Sequence, residues 1–196
     1  MLTCAISLVV VDMKREINMQ EVDRKEIAIG IGSNLGDPLA QVKEAILHLK
    51  QISHLKISKV SSFYQSKALV PTGCTDIVPN YINAVAIGQT SLYPQALLDN
   101  LLSIEKHMGR CRQKKWESRV IDLDLLLYGM EIYERKGLQI PHPEMLARRF
   151  VLEPLAEIKP EWIHPRVHKT MKELAGQIFG SGDICLIERS ENGNFY

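Results

Sequence analysis

The sequence predicts an α+β sandwich in which an antiparallel sheet carries helices on one of its faces. Two kinds of segment alternate along residues 27–128. Short segments are rich in β-forming residues, and two longer segments repeat apolar residues every three or four positions. In chain order they read β-α-β-β-α-β. A length of 196 residues, 45% of them apolar and 24% charged, fits one compact domain built on this pattern.

The first strand and the first helix are clearly marked. The strand IAIGIG begins at Ile27. The helix after it begins near Asp37, whose side chain can cap free N–H groups, and Pro38 suits a first helical turn. The apolar stripe of this helix consists of Leu39, Val42, Ile46 and Leu49. Residues Lys56 to Ser66 then predict a single second strand.

The second half of the pattern ends in a strand that carries two acids. Tyr81 to Gln89 predicts a strand, and Pro94 to Met108 predicts a helix. In the last strand, Val120 to Tyr128, side chains alternate between faces, so Asp122 and Asp124 project the same way. The opposite face of this strand takes Ile121, Leu123, Leu125 and Leu127. This is the ferredoxin-like βαββαβ order, which leaves the second face of the sheet open for loops and ligands.

The two ends of the chain are expected to lie outside this domain. We predict an N-terminal extension at residues 1–25, the domain at 26–175 and a C-terminal tail at 176–196. The extension is crowded with charge from Asp12 onward, and it is an added strand, a flexible arm or the product of a start codon placed too early. The tail carries the short apolar run ICLI, which predicts either an edge strand or a disordered end.

Composition argues against several classes of function. A net charge of +1 gives no general attraction for nucleic acid. The wide spacing of the four cysteines speaks against a zinc site and against a disulfide framework. They are Cys4, Cys74, Cys111 and Cys185. The apolar run near the N-terminus is far too short to span a bilayer. We therefore expect a cytoplasmic protein with reduced thiols and with no membrane or nucleic-acid partner.

A cation-rich loop directly before the two acids is the strongest functional signal. From Lys106 to Arg119 there are six cations and one anion, a net charge of +5. Guanidinium groups suit phosphate and two neighbouring carboxylates suit Mg²⁺, the combination that phosphoryl transfer needs. A charged loop is often only a solvated surface, and Asp-x-Asp is often only the polar side of a strand. Trp116 argues against this alternative, because its apolar ring gains nothing in solvent.

Two neighbouring features are less decisive. The segment GIGSNLGD at Gly30 to Asp37 matches neither a P-loop nor the G-x-G-x-x-G fingerprint, because Leu35 occupies the third glycine position. Tight strand-to-helix geometry explains this segment equally well. Glu105 is either an exposed helix charge paired with Lys106 or Arg110, or an acceptor of hydrogen bonds from a substrate.

Six ordered motifs resemble one enzyme family. They are GSNLGD at 32–37, SSFYQS at 61–66, YINAV at 81–85, IEKHMGRCR at 104–112, W-x-x-R-x-x-D-x-D at 116–124 and PHPEMLARRFVLEPLAEI at 141–158. Across residues 27–165 the chain closely resembles 6-hydroxymethyl-7,8-dihydropterin pyrophosphokinase of folate biosynthesis. The resemblance implies a ferredoxin-like fold and transfer of the β,γ-pyrophosphoryl group of ATP to the pterin hydroxymethyl group, with release of AMP. It also implies two Mg²⁺ ions, with ATP as co-substrate.

The resemblance implies roles for residues around the nucleotide. Asp122 and Asp124 would hold both Mg²⁺ ions. The phosphates would be neutralised by Arg110, Arg112 and Arg119. A mobile catalytic loop would carry Trp116, which closes over the site, and Arg112, which reaches in once both substrates are bound. The full set of nucleotide contacts would be Glu105, Arg112, Trp116, Arg119, Leu125, His142 and Arg148.

The same resemblance implies a separate pterin site. Its residues would be Ser66, Leu69, Tyr81, Asn83 and Phe150. The two aromatic rings would sandwich the pterin, and the asparagine would bond its edge, an arrangement that suits a flat heterocycle rich in donors and acceptors. No motif of the synthase or aldolase that sometimes accompanies this enzyme is present. We expect small-molecule substrates, a single activity and a monomer.

Three features depart from the family pattern. Ser118 stands where the family usually has a proline, the spacing from Arg112 to Trp116 is short, and the loop from Leu69 to Tyr81 is long. A serine leaves the backbone freer than a proline does. We therefore expect the catalytic loops to close differently here.

An RNA-binding module is the alternative function, because RNA-recognition domains share this element order and stack bases on sheet aromatics. The basic and aromatic pattern of those domains is absent, and aromatic residues make up only 6% of the chain. Paired acids would also repel a phosphate backbone unless a metal intervened. An RNA binder should lose affinity steeply as salt rises, whereas ATP binding should need Mg²⁺.

Overall fold

The computed structural model of the protein describes residues 24–67, 79–109, 120–178 and 184–189. Its strands are β1 (Lys25–Ser33), β2 (Leu55–Val60), β3 (Phe63–Ser66), β4 (Tyr81–Thr90), β5 (Asp122–Tyr128), β6 (Tyr133–Arg135), β7 (Leu138–Ile140) and β8 (Ile184–Glu188). Its helices are α1 (Pro38–Gln51), α2 (Pro94–His107), α3 (Arg149–Ile158) and α4 (Met171–Gln177), with a 3₁₀ turn at Met145–Ala147. The predicted N-terminal extension lies outside the described residues up to position 23. None of the helices in these ranges is long and apolar enough to cross a membrane.

The main sheet has the predicted ferredoxin-like topology. Its strands lie in the order β5-β1-β4-β3-β8, and β2 pairs with β4 on the same side as β3. All of these strand pairs are antiparallel. A separate hairpin pairs β6 with β7. The topology brings the start of β5, which carries the two acids, beside the end of β1, and it brings the start of β4 to the other side of β1. The fold class predicted from the sequence is therefore confirmed.

The segment Lys56–Ser66, predicted as one strand, forms two strands that separate at Ser61 and Ser62. The Ser61 N–H donates to the Val85 carbonyl (2.9 Å), and the Ser61 hydroxyl accepts from the Val85 N–H (2.9 Å). Ser62 turns away from β4, so that its N–H and its hydroxyl donate to the Glu157 carboxylate of α3 (3.0 and 2.6 Å). Side-chain hydrogen bonds thus interrupt the backbone ladder here.

Glu157 also accepts a hydrogen bond from the Tyr64 hydroxyl (3.0 Å). Burial, and then the Glu157 carboxylate, raises the pKa of Tyr64 from 10.0 to about 12. The folded state therefore holds the phenol proton more tightly than the unfolded chain does. The resulting stabilisation is fully present below pH 10 and is lost as the pH rises through about 12.

We expect Tyr64→Phe to remove, from an ultraviolet titration of tyrosinate, a tyrosine that ionises near pH 12. Glu157→Gln should lower that pKa while leaving the part due to burial, because the amide is uncharged but fills the same space. Unchanged titration curves for both variants would contradict the contact between β3 and α3.

Helices α1 and α2 cover one face of the sheet. The buried apolar side chains they contribute are Val42, Ala45, Ile46, Leu49, Leu97, Leu101 and Ile104. With apolar residues of β1, β4 and β5 they form what we term the first core. Helix α1 begins as predicted, because Asp37 accepts a hydrogen bond from the Ala40 N–H (3.1 Å) and Pro38 occupies the first turn. The predicted stripe of α1 thus faces the sheet.

The other face of the sheet is partly covered, whereas the sequence predicted it to be open. The 3₁₀ turn, α3, α4 and the segment between the helices pack against it through Met145, Val151, Leu152, Leu155, Trp162 and Met171. The sheet contributes Ala28, Val85, Ile87, Leu126 and Leu127 to this second core. The predicted elements ended at Tyr128, so this second apolar layer was not expected. Among the described residues, the end of this face where β4 and β5 begin lies beyond the second core.

Leu127 packs on the face opposite to the predicted one. The pairing between β1 and β5 shifts after Ala28, so that Leu126 is an extra residue in β5. The bulge interrupts the alternation of side chains: Leu126 and Leu127 both belong to the second core, and Tyr128 belongs to the first. The prediction for Leu127 is therefore wrong. The predicted first-core positions that hold are Ile121, Leu123 and Leu125.

The C-terminal tail contributes an edge strand over the described part of its length. β8 pairs with β3, from Phe63 opposite Glu188 to Ser66 opposite Ile184. Lys43 of α1 holds the end of β8 through an ion pair with Glu188 (2.8 Å). Of the two alternatives predicted for the tail, residues 184–188 therefore form the edge strand.

Candidate active site

Two carboxylates stand side by side at the start of β5. Asp122 and Asp124 are half-buried and point to the same face of the sheet, while Leu123 between them packs into the first core. Their partners across β1 are Gly32 and Gly30. Neither partner carries a side chain, so β1 adds none beside the acids. Next to Gly30 the Leu126 side chain takes this space, 3.4 Å from where a Cβ would lie.

Glu105 fixes the backbone between the acids. It lies near the end of α2 and is only 2% exposed. Its Oε1 accepts a hydrogen bond from the Leu123 N–H at 2.8 Å. The alternative that Glu105 is an exposed helix charge is therefore wrong, since a buried carboxylate must be satisfied by partners of this kind. The contact ties α2 to the position where both acids are presented.

Two side chains from outside the sheet approach Asp124. Arg148 Nη1 lies 3.3 Å from Asp124 Oδ2, and Arg148 Nη2 contacts the Glu144 carboxylate. The Arg148 Cζ lies 5.8 Å from the centre of the Phe150 ring, at cation–π distance. His142 Nε2 lies 3.9 Å from the same Asp124 oxygen. Arg148 thus partly neutralises Asp124, and His142 lies beside the same oxygen.

His142 is held with a defined proton position. Burial lowers the pKa of His142; the Asp124 carboxylate opposes this shift, and Arg148 adds to it. The Nδ1 atom accepts the Glu144 N–H (3.3 Å), so the neutral ring carries its proton on Nε2, the atom that faces Asp124. At neutral pH the ring therefore presents an N–H donor on the side of the acids.

A cleft of about 590 Å³ opens beside the acid pair. Its apolar wall comes from α2 and β5, through Leu98, Leu102 and Leu125. The β6–β7 hairpin also lines the cleft through residues 135–139, which include two cations. The volume of the cleft falls in the usual range for a small-molecule pocket. Of the predicted nucleotide contacts, Glu105, Leu125 and His142 line this cleft.

The second predicted group surrounds Gly32 on the same face of the sheet. Asn83 pairs with Gly32 across β1 and β4 and is 5% exposed. Its Nδ2 donates to the Ser66 hydroxyl (2.9 Å) and, at 3.4 Å, to the Tyr64 carbonyl. A Cβ added at Gly32 would lie 3.3 Å from Asn83 Oδ1 and 3.9 Å from the Tyr81 ring. Gly32 thus keeps space open between the amide, the aromatic ring and the acids.

Most of the described candidates meet at one end of the sheet. The acids, Glu105, Leu125 and His142 border one cleft, and Asn83, Ser66 and Tyr81 adjoin Gly32. Phe150 is connected to the acids through Arg148. The candidates outside the described residues are Leu69, Arg110, Arg112, Trp116 and Arg119. Ser118 lies outside them too, so the expected difference in loop closure stays a prediction.

The acid pair fits a magnesium ion that is shared with a phosphate ligand. In the described part of the chain no group of three or more His, Cys, Asp or Glu side chains is placed to hold a metal. Mg²⁺ commonly takes one or two protein carboxylates and completes its octahedral shell with waters and substrate phosphates. The buried Nε of Arg148, which has no hydrogen-bond partner among the described residues, would suit a phosphate oxygen nearby.

Sequence reasoning missed two contributors to the site. Gly30 and Gly32 belong to the predicted strand IAIGIG, but their position in β1 opposite Asp124 and Asp122 was not predicted. The signal was the match of G-x-G in one strand with D-x-D in its neighbour, which only the pairing register reveals. The other missed contributor is the hairpin turn at 135–139, where the run Arg-Lys-Gly marks a basic turn.

Comparisons with known proteins show similarity to one enzyme family. The family model for 7,8-dihydro-6-hydroxymethylpterin-pyrophosphokinase matches residues 28–160. A 2-amino-4-hydroxy-6-hydroxymethyldihydropteridine pyrophosphokinase from Synechocystis sp. is 42% identical over 150 residues, which cover 76% of this chain and 74% of the relative. The enzyme of the same name from Aquifex aeolicus is 40% identical over 147 residues, covering 75% of this chain and 88% of the relative.

A solved structure shares the fold. The crystal structure of a Plasmodium falciparum HPPK-DHPS with pteroate matches with a TM-score of 0.60 at 15% identity. The match covers 81% of this chain and 44% of that one, so this chain spans less than half the length of that protein. At this identity the likeness establishes the fold alone.

Proposed function

Because the chain belongs to the 7,8-dihydro-6-hydroxymethylpterin-pyrophosphokinase family, we propose that Asp122 and Asp124 form the metal-binding centre of a pyrophosphoryl-transfer site. The chain transfers the pyrophosphoryl group of ATP to 6-hydroxymethyl-7,8-dihydropterin in folate biosynthesis. The pterin hydroxyl oxygen bonds to the β-phosphorus of ATP and loses its proton. The bond between the β-phosphorus and the oxygen that bridges the α- and β-phosphates breaks, and AMP leaves with that oxygen. Family membership thus decides against the RNA-binding alternative.

One observation supports the proposed site: both acids and His142 border a single cleft at the start of β5. Mg²⁺ bound there would neutralise charge on the phosphates as the pyrophosphoryl group moves. The chain's own contribution is a pair of oxygen ligands on a strand whose backbone Glu105 holds in place. We propose that two Mg²⁺ ions bind jointly to the acids and to ATP, because two carboxylates alone leave most coordination positions to phosphate and water.

The nucleotide is proposed to occupy the cleft. The apolar wall of Leu98, Leu102 and Leu125 suits the adenine ring, and the basic hairpin turn suits ribose and phosphate oxygens. His142 would donate its Nε2–H, and Arg148 its guanidinium, to phosphate oxygens beside the metal. Both side chains already lie against Asp124, so they need only small movements to reach a ligand of the same metal.

The pterin is proposed to bind above Gly32. The side chain of Asn83 is oriented by Ser66 and Tyr64, which accept from its Nδ2 and leave Oδ1 toward the open space at Gly32. A fixed amide acceptor suits the ring N–H groups of a pterin. Tyr81 supplies an aromatic face at the same position, and Phe150 lies beyond Arg148.

We expect Asn83→Ala to weaken pterin binding while leaving ATP binding nearly intact. The change removes the acceptor for the pterin edge and leaves ring donors unpaired, which costs about 1–3 kcal/mol. Calorimetry with each ligand alone would measure both affinities. Asn100→Ala is the matched control, since Asn100 lies on the exposed side of α2 and bonds only locally to the Ala96 carbonyl. Equal loss of both ligands in Asn83→Ala would contradict two separate pockets.

Incubation of the protein with ATP, Mg²⁺ and 6-hydroxymethyl-7,8-dihydropterin tests the function. Chromatography should detect AMP and the pterin pyrophosphate in equal amounts, and no AMP when pterin or Mg²⁺ is omitted. Formation of ADP would indicate transfer of a single phosphoryl group and would reject the proposal.

Other assignments rest on the resemblance of the sequence. We propose that Arg110, Arg112 and Arg119 neutralise the phosphates, that Trp116 closes over the bound substrates, and that Leu69 offers its backbone to the pterin. We also propose that residues 26–175 form the pyrophosphokinase domain and that the extension at 1–25 is dispensable for chemistry. We further propose that the protein is a monomer, and light scattering should then give the mass of one chain.

A further inference from the structure

Arg148 contacts Asp124 Oδ2, one of the carboxylate oxygens that would also bind a metal ion. Its Nη1 lies 3.3 Å from Asp124 Oδ2 and its Nη2 contacts Glu144, so one guanidinium joins two carboxylates. The Arg148 side chain is 22% exposed, and arginine stays charged throughout the pH range in which proteins fold. A divalent cation on the same Asp124 oxygen would be repelled strongly by a guanidinium so close. The ion pair with Arg148 therefore competes with metal binding at Asp124.

The guanidinium is also incompletely bonded in this position. Arg148 Nε is buried and has no hydrogen-bond partner among the described groups. A guanidinium presents its five N–H groups in a planar fork, which is best satisfied by paired oxygens such as those of a phosphate. Here Asp124 and Glu144 engage only the terminal nitrogens. An arriving phosphate would offer Arg148 acceptors that the two carboxylates leave unmatched.

We propose that Arg148 is a positioning residue that keeps Asp124 from binding free divalent metal until nucleotide phosphates draw the guanidinium away. The inference rests on the proposed function in taking ATP as the anion. Metal and nucleotide binding then become coupled, and each ligand raises the affinity of the other by the same factor, because binding free energies are reciprocal. When Arg148 moves from Asp124 to a nucleotide phosphate, the Asp124 carboxylate becomes available to the metal ion.

The test measures Mn²⁺ binding to the full-length chain without nucleotide, by electron paramagnetic resonance of the free ion. Arg148→Gln should bind Mn²⁺ about tenfold more tightly than the wild type, because the competing cation is gone. Addition of α,β-methylene-ATP, which cannot release AMP, should raise the Mn²⁺ affinity of the wild type by at least that factor. The same nucleotide should raise the affinity of Arg148→Gln correspondingly less. Arg148→Lys keeps the charge, so without nucleotide it should bind Mn²⁺ as weakly as the wild type does.

Arg149→Gln is the matched control, because it removes the same charge from the next residue, which pairs with Glu153 and not with the acids. It should bind Mn²⁺ as the wild type does. The proposal is overturned if Arg148→Gln binds Mn²⁺ no more tightly than the wild type, or if Arg149→Gln gains as much. Should Arg148→Gln fail to fold by circular dichroism, Arg148→Met carries the same expectation, since its uncharged side chain can still pack on Phe150.

The proposed function can fail separately. A wild type that shows nucleotide-coupled Mn²⁺ binding but forms no AMP with the pterin would reject that function, and it would support the role of Arg148. A wild type that forms AMP and binds Mn²⁺ equally well with and without nucleotide would reject the role of Arg148 alone.

Discussion

Replacing Asp124 with asparagine should lower the single-turnover rate of pyrophosphoryl transfer by about a thousandfold, or about 4 kcal/mol of activation free energy. The amide keeps the size of the side chain but removes the charge that meets Mg²⁺ and that pairs with Arg148. Asp122→Asn should act similarly, because both acids face the same space above β1. Both variants should also weaken Mg·ATP binding in calorimetry, since metal and nucleotide share the site.

Asp99→Asn provides the control for these two variants. Asp99 lies on the exposed side of α2, where it accepts a hydrogen bond from Gln95 (3.0 Å). Its rate and its affinity for Mg·ATP should match those of the wild type, and thermal melting should show that all three variants fold. An Asp124→Asn protein that stayed within about tenfold of the wild-type rate would remove Asp124 from the metal centre.

Replacing Glu105 with alanine should both destabilise the protein and slow it. The buried Leu123 N–H would lose its acceptor, which lowers the free energy of unfolding by about 1–3 kcal/mol. The acids on either side of Leu123 would lose their alignment, and a displacement of about 1 Å can slow catalysis on the order of a hundredfold. Chemical denaturation and steady-state kinetics would measure the two effects on the same preparation.

Glu105→Gln separates two ways in which Glu105 could act. The glutamine keeps a side-chain oxygen for the Leu123 N–H, so it should recover most of the stability and most of the rate. Glu161→Ala, at an exposed position, should change neither quantity. If Glu105→Gln were stable yet as slow as Glu105→Ala, the carboxylate would act on the substrate directly and not through the backbone of β5.

The order of elements and the position of the acids followed from local patterns. Asp37 caps α1 as predicted because capping depends on neighbouring residues alone. Asp122 and Asp124 point the same way because the alternation of a strand is also local. The ferredoxin-like order needed only the sequence of strand and helix signals, each of which is visible within a short window.

The features that the sequence did not predict depend on contacts between distant segments. Leu127 faces the second core because β5 bulges against β1, and Ser62 leaves its strand because Glu157 lies across from it. The sequence close to Leu127 or Ser62 does not predict these partners. Glu105 is buried for the same reason, since its acceptor role is defined by Leu123, eighteen residues away. The position of Gly30 and Gly32 opposite the two acids follows only from the pairing of β1 with β5.

Strand β8 converts β3 from an edge strand into an interior strand of the sheet. Without a neighbour on that side, β3 would be the free border of the sheet, able to fray or to slip in register. Pairing of Ile184–Glu188 along Phe63–Ser66 makes it an interior strand, held from both sides. Ser66, which orients the Asn83 amide, therefore lies in a strand that is hydrogen-bonded on both sides. The rigidity of the proposed pterin pocket thus depends on a segment more than a hundred residues further along the chain.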